Sequence, residues 1–283
     1  MTGSDAYRLH LPRTPDTGTV FSSPHSGADY PQAFLARARL DAHTIRSSED
    51  AFMDEVFASV PNHGAPLLAA RVPRAFLDLN RATDELDPAV IEGLVRAPHN
   101  PRVASGLGVI PRVVAQGRPI YSGKMTRTEA ESRIAAHWTP YHACLQQLLQ
   151  DAHRRSDRVL LVDCHSMPHD ALSNRGPRPE VVLGDRFGAA CGREVMERVE
   201  AAFQAAGLRV SRNAPFAGAY ITQAYGRPSR QQHAVQVEID RSLYMDEARI
   251  EKRPDFLAFV ALMEEVVSVL CDIGRHRQAL AAE

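Results

Sequence analysis

Residues 159–168 read Val-Leu-Leu-Val-Asp-Cys-His-Ser-Met-Pro, and this stretch limits the fold more than any other. The unbroken apolar run Val159–Val162 has the pattern of a strand buried on both faces, as in sheets covered by helices on each side. It stops abruptly in a carboxylate, an imidazole and a hydroxyl, and Pro168 cannot continue a ladder. In open α/β sheets, ligands bind just beyond the carboxyl ends of the strands. His165 therefore stands where such folds keep their chemistry, with Asp163 two residues back as a partner for its ring. Taken alone, His165 reads more readily as a core histidine bonded to a neighbouring carbonyl, so the rest of the chain has to decide.

Strands and helices alternate along the remainder. Thr19–Ser23 forms a short strand running into Pro24-His25-Ser26-Gly27. Ser48 caps a helix over 49–60, with Phe52, Val56, Phe57 and Val60 on its apolar face. Leu67–Val72 and Phe76–Leu79 are extended. Residues 82–126 are rich in Pro, Gly and Arg without sustained periodicity, which reads as loops and short elements over the site. Helices are expected over 128–149, capped by Thr128 with Glu131 three residues on, over 185–206 and over 256–273. Further extended pieces fall at 209–211 and 234–239. With no repeat and no linker, the 283 residues read as a single three-layer α/β domain, its mixed, largely parallel sheet flanked by helices.

Composition excludes several classes. A net charge of −1 offers no basic field for nucleic acid or a membrane surface, and no apolar run approaches a membrane span. The polar stretch Met1–Arg13 lacks the apolar region of a secretion signal. Four widely spaced cysteines, without a Cys-x-x-Cys pair, fit reduced thiols and a cytoplasmic location. No feature fixes an oligomeric state, since the Ala-rich helices at 189–206 and 256–273 could cover the sheet or meet a partner.

Four polar clusters end apolar elements: Pro24–Gly27, Glu49-Asp50, His165, and Glu238 in Ala234-Val235-Gln236-Val237-Glu238-Ile239-Asp240. Val235, Val237 and Ile239 share one strand face, which puts Gln236, Glu238 and Asp240 on the other. A carboxylate on a central strand is unfavourable unless paired or doing chemistry. Glu49-Asp50 alone is equally well explained by the positive dipole at a helix start. Two histidines and a carboxylate with an open position form the usual ligand set of a hydrolytic zinc site, and a further carboxylate would take a proton from water there. Arg74 and Arg81 bracket Ala-Phe-Leu-Asp-Leu-Asn, and an arginine fork beside Asn80 matches a carboxylate ligand. Pairing of these arginines with Asp78 or Asp84 is the plainer alternative.

Taken together, Pro-His-Ser-Gly at 24–27, Asp50 with Phe52 and Glu55, Arg74–Arg81, Asp163-Cys164-His165-Ser166-Met167, Gly218-Ala219-Tyr220-Ile221-Thr222 and Gln236-Val237-Glu238 resemble the N-formylglutamate amidohydrolase family. The resemblance runs from about residue 20 to 262. The strand-Asp-x-His-Ser element, the Asp-Leu-Asn-Arg element and the late strand glutamate are also similar to zinc carboxypeptidases and aspartoacylase-like deacylases.

The resemblance implies a zinc-carboxypeptidase-like fold with one Zn2+, another divalent ion being an alternative. His25 and His165 would be ligands, Glu238 the general base and acid, and Arg74 the oxyanion stabiliser. Asn80 and Arg81 would grip the α-carboxylate of a small N-acyl amino acid. The carboxypeptidase pattern puts a glutamate three residues after the first histidine, where Ala28 stands here. The third ligand is therefore assigned to Asp50, with Glu49 as the alternative. Arg227 and Arg230, in the loop after Tyr220 and Thr222, are candidates for a second substrate carboxylate, and Tyr220 for a hydrogen bond to substrate. The implied activity is cleavage of N-formyl-L-glutamate, or a related N-acyl acidic amino acid, to formate and the amino acid. The alternatives are a zinc carboxypeptidase, another N-acyl amino acid deacylase, and a non-catalytic amino-acid-binding protein. His137, His142, His153, His169 and His233 are read as packing or supporting residues.

Overall fold

The computed structural model describes residues 2–95, 100–172 and 178–275. At its centre lies an eight-stranded sheet in the order β1-β2-β4-β3-β5-β8-β6-β7. Its strands are β1 (Thr2–Gly3), β2 (Tyr7–His10), β3 (Thr19–Ser23), β4 (Leu67–Ala70), β5 (Val159–Met167), β6 (Val181–Gly184), β7 (Val210–Arg212) and β8 (Gln232–Asp240). The four middle strands β4, β3, β5 and β8 are parallel. β2 and β6 run antiparallel to their inner neighbours. The helices are α1 (Gln32–Arg37), α2 (Met53–Val56), α3 (Pro101–Ala104), α4 (Arg127–Arg133), α5 (Thr139–Arg155), α6 (Arg193–Ala205), α7 (Tyr220–Tyr225) and α8 (Phe256–Ile273).

Strand periodicity sorts the side chains between two helical layers. On β5, Leu160, Val162 and Cys164 join an apolar cluster with α6 and α8. Val159 and Leu161 point the other way, into a cluster with Tyr141, Leu145, Leu148 and Leu149 of α5. Each fully buried Val or Leu contributes about 1.5–3 kcal/mol. The face shared by Val235, Val237 and Ile239 packs against the α6/α8 layer, as expected from the alternation. Asp163, His165, Gln236 and Glu238 therefore stand on the α5 side, near the carboxyl ends of their strands.

Several element bounds differ from the sequence reading. β5 extends five residues beyond Val162 because its polar residues find partners inside the fold, and Pro168 stops it. The 49–60 helix does not form as one piece. Thr44–Ser48 is a 3₁₀ turn and Phe52 adopts a left-handed φ of 66°, so α2 begins only at Met53. This bend separates Asp50 from any helix start. The cap of α4 is Thr126, whose hydroxyl accepts from the Glu129 amide, and a π-helical turn at Ile134–Trp138 leads into α5. α6 starts at Arg193 because Arg186, Phe187 and Gly188 all have positive φ. Phe76–Leu79 is a turn rather than extended. Strands β1, β2 and β6 are too short or too near the amino end to stand out in the sequence. The described part of 82–126 is loop with short elements, as expected. The four cysteines are free thiols, and no described helix is long and apolar enough to cross a membrane.

Candidate active site

Because β3, β4, β5 and β8 are parallel, the residues after each of them gather at one end of the sheet. His25 follows β3, Arg74–Arg81 follow β4, His165 lies near the end of β5, and Glu238 and Arg241 close β8. Of these, His25, Arg74, Asn80, Arg81, His165, Glu238 and Arg241 line a cavity of about 500 Å³. His165 and Glu238 are direct register partners on adjacent strands, as are Asp163 and Gln236.

His25, Asp50 and His165 form the only cluster of potential metal ligands found among the described residues, their donor atoms within 4.8 Å of one another. Asp50 Oδ2 lies 2.9 Å from His165 Nδ1 and 3.4 Å from His25 Nδ1. The opposite ring nitrogens are tied to carboxylates: His25 Nε2 to Asp78 Oδ1 at 2.7 Å, and His165 Nε2 to Asp163 Oδ2 at 2.9 Å. Each carboxylate accepts from its Nε2–H, which leaves both Nδ1 atoms facing Asp50, where a proton or a metal cation can sit between them. His25 Nδ1 is buried without a hydrogen-bond partner, an unfavourable state for an imidazole nitrogen unless a cation completes it. Ligand atoms on a tetrahedral zinc stand about 3.3 Å apart, so the separations and donor types present fit such an ion.

The electrostatics favour a cation as well. Burial opposes charge on Asp50, but the adjoining imidazoles of His165 and His25 outweigh it and hold the carboxyl well below its ordinary range. Burial opposes charge on His165 too, yet Asp163 and Asp50 push its imidazole well above the usual value. Glu238 behaves in the opposite way. Burial raises it to about 7, with Asp50 adding to the rise against the charges of His165 and Arg74 and the hydrogen bond from Gln236. A carboxyl poised near neutrality can both take and return a proton.

Glu49, the alternative ligand, is engaged elsewhere. Its carboxylate accepts from the Tyr30 hydroxyl and, at 3.1 Å, from Arg46 Nε, away from both histidines. Asn80 is buried with its amide committed to the protein. Nδ2 donates to Asp163 Oδ2 at 3.2 Å, and Oδ1 accepts from the Ile221 amide at 2.7 Å. It braces the His165 side of the site rather than offering a free fork. Arg74 Nε donates to Asp78 Oδ2 at 3.1 Å, while Arg81 donates to the carbonyls of Leu107 and Asn80.

Tyr220, Thr222, Arg227 and Arg230 do not line the cavity. The Tyr220 ring packs on Trp138 and His142, and the Thr222 hydroxyl donates to the Ala219 carbonyl. Arg227 and Arg230 precede β8 and so lie at the opposite, amino end of that strand. Of that motif, Gly218 and Ala219 reach the cavity, the Ala219 amide donating to Gln236 Oε1 at 2.9 Å. Arg241 and Arg102 line it unexpectedly. Arg241 Nη2 donates to Asp50 Oδ1 at 3.1 Å and so holds the carboxylate whose other oxygen faces the histidines. Its position just past a central strand is the one signal the sequence offers. His142 is structural, bonded to the Leu79 carbonyl and Tyr225 hydroxyl, with burial pushing its pKa down to about 4.

Gly27 explains the end of the Pro-His-Ser-Gly motif. A Cβ there would lie 2.1 Å from the Val72 carbonyl oxygen, so only glycine lets the His25 turn press against the β4 exit. Gly27→Ala is expected to destabilise the protein by about 1–3 kcal/mol, read as a lower urea midpoint at unchanged slope. An unchanged midpoint would show that this close approach is not needed.

A buried imidazole–carboxylate–imidazole cluster with a near-neutral glutamate beside it, at the carboxyl ends of parallel strands, defines a hydrolase-type α/β site. Residues 17–245 match the sequence model of N-formylglutamate amidohydrolase, and the chain belongs to that family. It is 31% identical over 266 residues to the N-formylglutamate deformylase of Pseudomonas aeruginosa, covering 92% of this chain and 95% of the relative. It is 28% identical over 232 residues to the N-formylglutamate deformylase of Pseudomonas putida, covering 81% and 82%. The crystal structure of N-formylglutamate amidohydrolase from Ralstonia eutropha JMP134 superposes with a TM-score of 0.89 at 32% identity, covering 95% of this chain and 98% of that one.

Proposed function

We propose that this protein hydrolyses the formyl amide of N-formyl-L-glutamate, or of a closely related N-acyl acidic amino acid, using a divalent metal held by His25, Asp50 and His165. The observation that carries this reading is the pair of histidines turned toward Asp50, each pinned from behind by a carboxylate, with Glu238 the register partner of His165. Zinc is the first choice for two imidazoles and a carboxylate, although other divalent ions accept the same set, and it would supply Lewis acidity that lowers the pKa of water to roughly 7.

The chain's own groups supply the rest. Glu238 takes the proton of the attacking water as the hydroxide adds to the formyl carbon. Arg74, held by Asp78, donates to the oxyanion that develops on the carbonyl oxygen, where one such donor is typically worth about 3 kcal/mol. Glu238 then returns the proton to the leaving nitrogen, completing formate and the free amino acid. Arg74, Arg81, Arg102 and Arg241 line the cavity, which suits a dianionic substrate. Four free thiols support a reducing, cytoplasmic setting.

Incubating the zinc-loaded protein with N-formyl-L-glutamate, N-formyl-L-aspartate, N-acetyl-L-glutamate and a short peptide tests the reading. Formate is expected fastest from the glutamate compound, and stripping the metal with a chelator should abolish it. Acetate release as the main product would favour a broader deacylase, and loss of a carboxy-terminal residue from the peptide a carboxypeptidase. No product from any of them would leave a binding protein.

A further inference from the structure

Of the four arginines that line the cavity, three are engaged by the protein itself. Arg74 is paired with Asp78 and Arg241 with Asp50, each at 3.1 Å. Arg81 gives Nε and Nη1 to backbone carbonyls and lies 3.9 Å from Asp78. Arg102 lines the same cavity, half-buried, and its side chain makes no hydrogen bond or ion pair among the described residues.

Its backbone, by contrast, is well fastened. The Asn100 side chain caps the turn by accepting from the Arg102 amide at 2.9 Å. The Leu107 amide donates to the Arg102 carbonyl at 2.8 Å, and the Leu107 carbonyl accepts from Arg81 Nε at 2.8 Å. That relay ties the Arg102 turn to Arg81 and keeps two like charges near each other. Burial lowers the Arg81 pKa; Asp78 and Glu85 oppose that shift, while the charges of Arg74 and Arg102 add to it. Neighbouring guanidinium groups in a partly desolvated cavity repel unless an anion lies between them. A glutamate derivative carries two carboxylates, and Arg227 and Arg230 lie too far away, at the other end of β8, to take the second.

Resting on the deformylase reading above, we infer that Arg102 binds the side-chain carboxylate of the substrate and sets the preference for an acidic over a neutral side chain. Arg81, beside it, remains for the α-carboxylate. The acyl group then faces Arg74, Glu238 and the histidine cluster.

The test compares Arg102→Gln with the unaltered protein, both metal-loaded, on N-formyl-L-glutamate and N-formyl-L-glutamine, which differ only in the side-chain charge. For the glutamate compound kcat/KM is expected to fall about 10–100-fold, mainly through KM, with the glutamine compound nearly unchanged. Arg102→Lys should recover part of the loss. An equal loss on both compounds would mean a purely structural role, and no loss on either would mean the residue does not read the side chain; either overturns the inference alone. Absence of formate from the unaltered protein with both compounds would instead sink the deformylase reading, and this inference with it.

Discussion

Glu238→Gln is expected to lower kcat by about 10²–10⁴-fold, the usual worth of a positioned general base and acid, with KM and metal content little changed. The amide oxygen of the variant can still accept the 2.7 Å hydrogen bond from Gln236 Nε2, so the site should keep its shape. The unaltered enzyme should lose kcat/KM as pH drops through about 7 or somewhat below, since a bound cation favours the ionised carboxylate. The variant should lack that limb. Stability should change in the other direction. A carboxyl raised from 4.5 to about 7 in the fold makes the folded chain bind more protons than the unfolded one. Its contribution is therefore intact below pH 4.5 and lost as pH rises toward 7. Without metal at a pH of about 8, above that range, the glutamine variant should consequently melt higher than the unaltered protein. Full activity in the variant would sink the assigned role of Glu238.

Asp50→Asn should be at least as damaging, through the metal. The carboxylate is held on one side by Arg241 and Ser166 and faces both histidines on the other. An amide can keep accepting from Arg241 through its oxygen, but then its NH₂ points at the two Nδ1 atoms and supplies no ligand. Changing residues that merely orient ligands weakens binding about 10–100-fold, so losing a ligand should exceed that. After dialysis the variant should retain little zinc and release no measurable formate. Removing the side chain altogether, in Asp50→Ala, leaves Arg241 buried with only Glu247, 4.0 Å away, as a counter-charge and should also lower stability, by up to about 3–5 kcal/mol. Glu49→Gln is the contrasting case. It disturbs Tyr30 and Arg46 and should leave the metal in place. If Glu49→Gln lost the ion and Asp50→Asn kept it, the ligand assignment would be reversed.

Much of this arrangement is legible before any coordinates. Val159–Val162 announces a central strand because every position must be apolar when both faces are covered. His165 and Glu238 stand out because polar side chains at the ends of such strands need a reason to be there. Asp50 is harder. Ser-Ser-Glu-Asp followed by periodic apolar residues has every local mark of a helix start, and the left-handed Phe52 that redirects the chain has no local signature. Tertiary contact, not propensity, decides that bend. Arg102 is invisible for a related reason, because a loop arginine becomes a site residue only through the folding of everything around it. Arg227 and Arg230 show the converse: adjacency in sequence to a motif says nothing about which end of a strand they reach.

The β5–β8 pairing carries a consequence for how such a protein can change. His165 and Glu238 face each other across neighbouring strands, whose spacing of about 4.8 Å is dictated by the backbone ladder. The proposed reactive pair is thus gauged by the sheet, which tolerates almost no drift, whereas Arg102 is carried by a connection between strands, where replacement is better tolerated. On the roles proposed above, reaction and choice of substrate sit on separate hardware. A descendant could come to favour a different amino acid by redrawing the 100–118 loop, while the ruler beneath it stayed untouched.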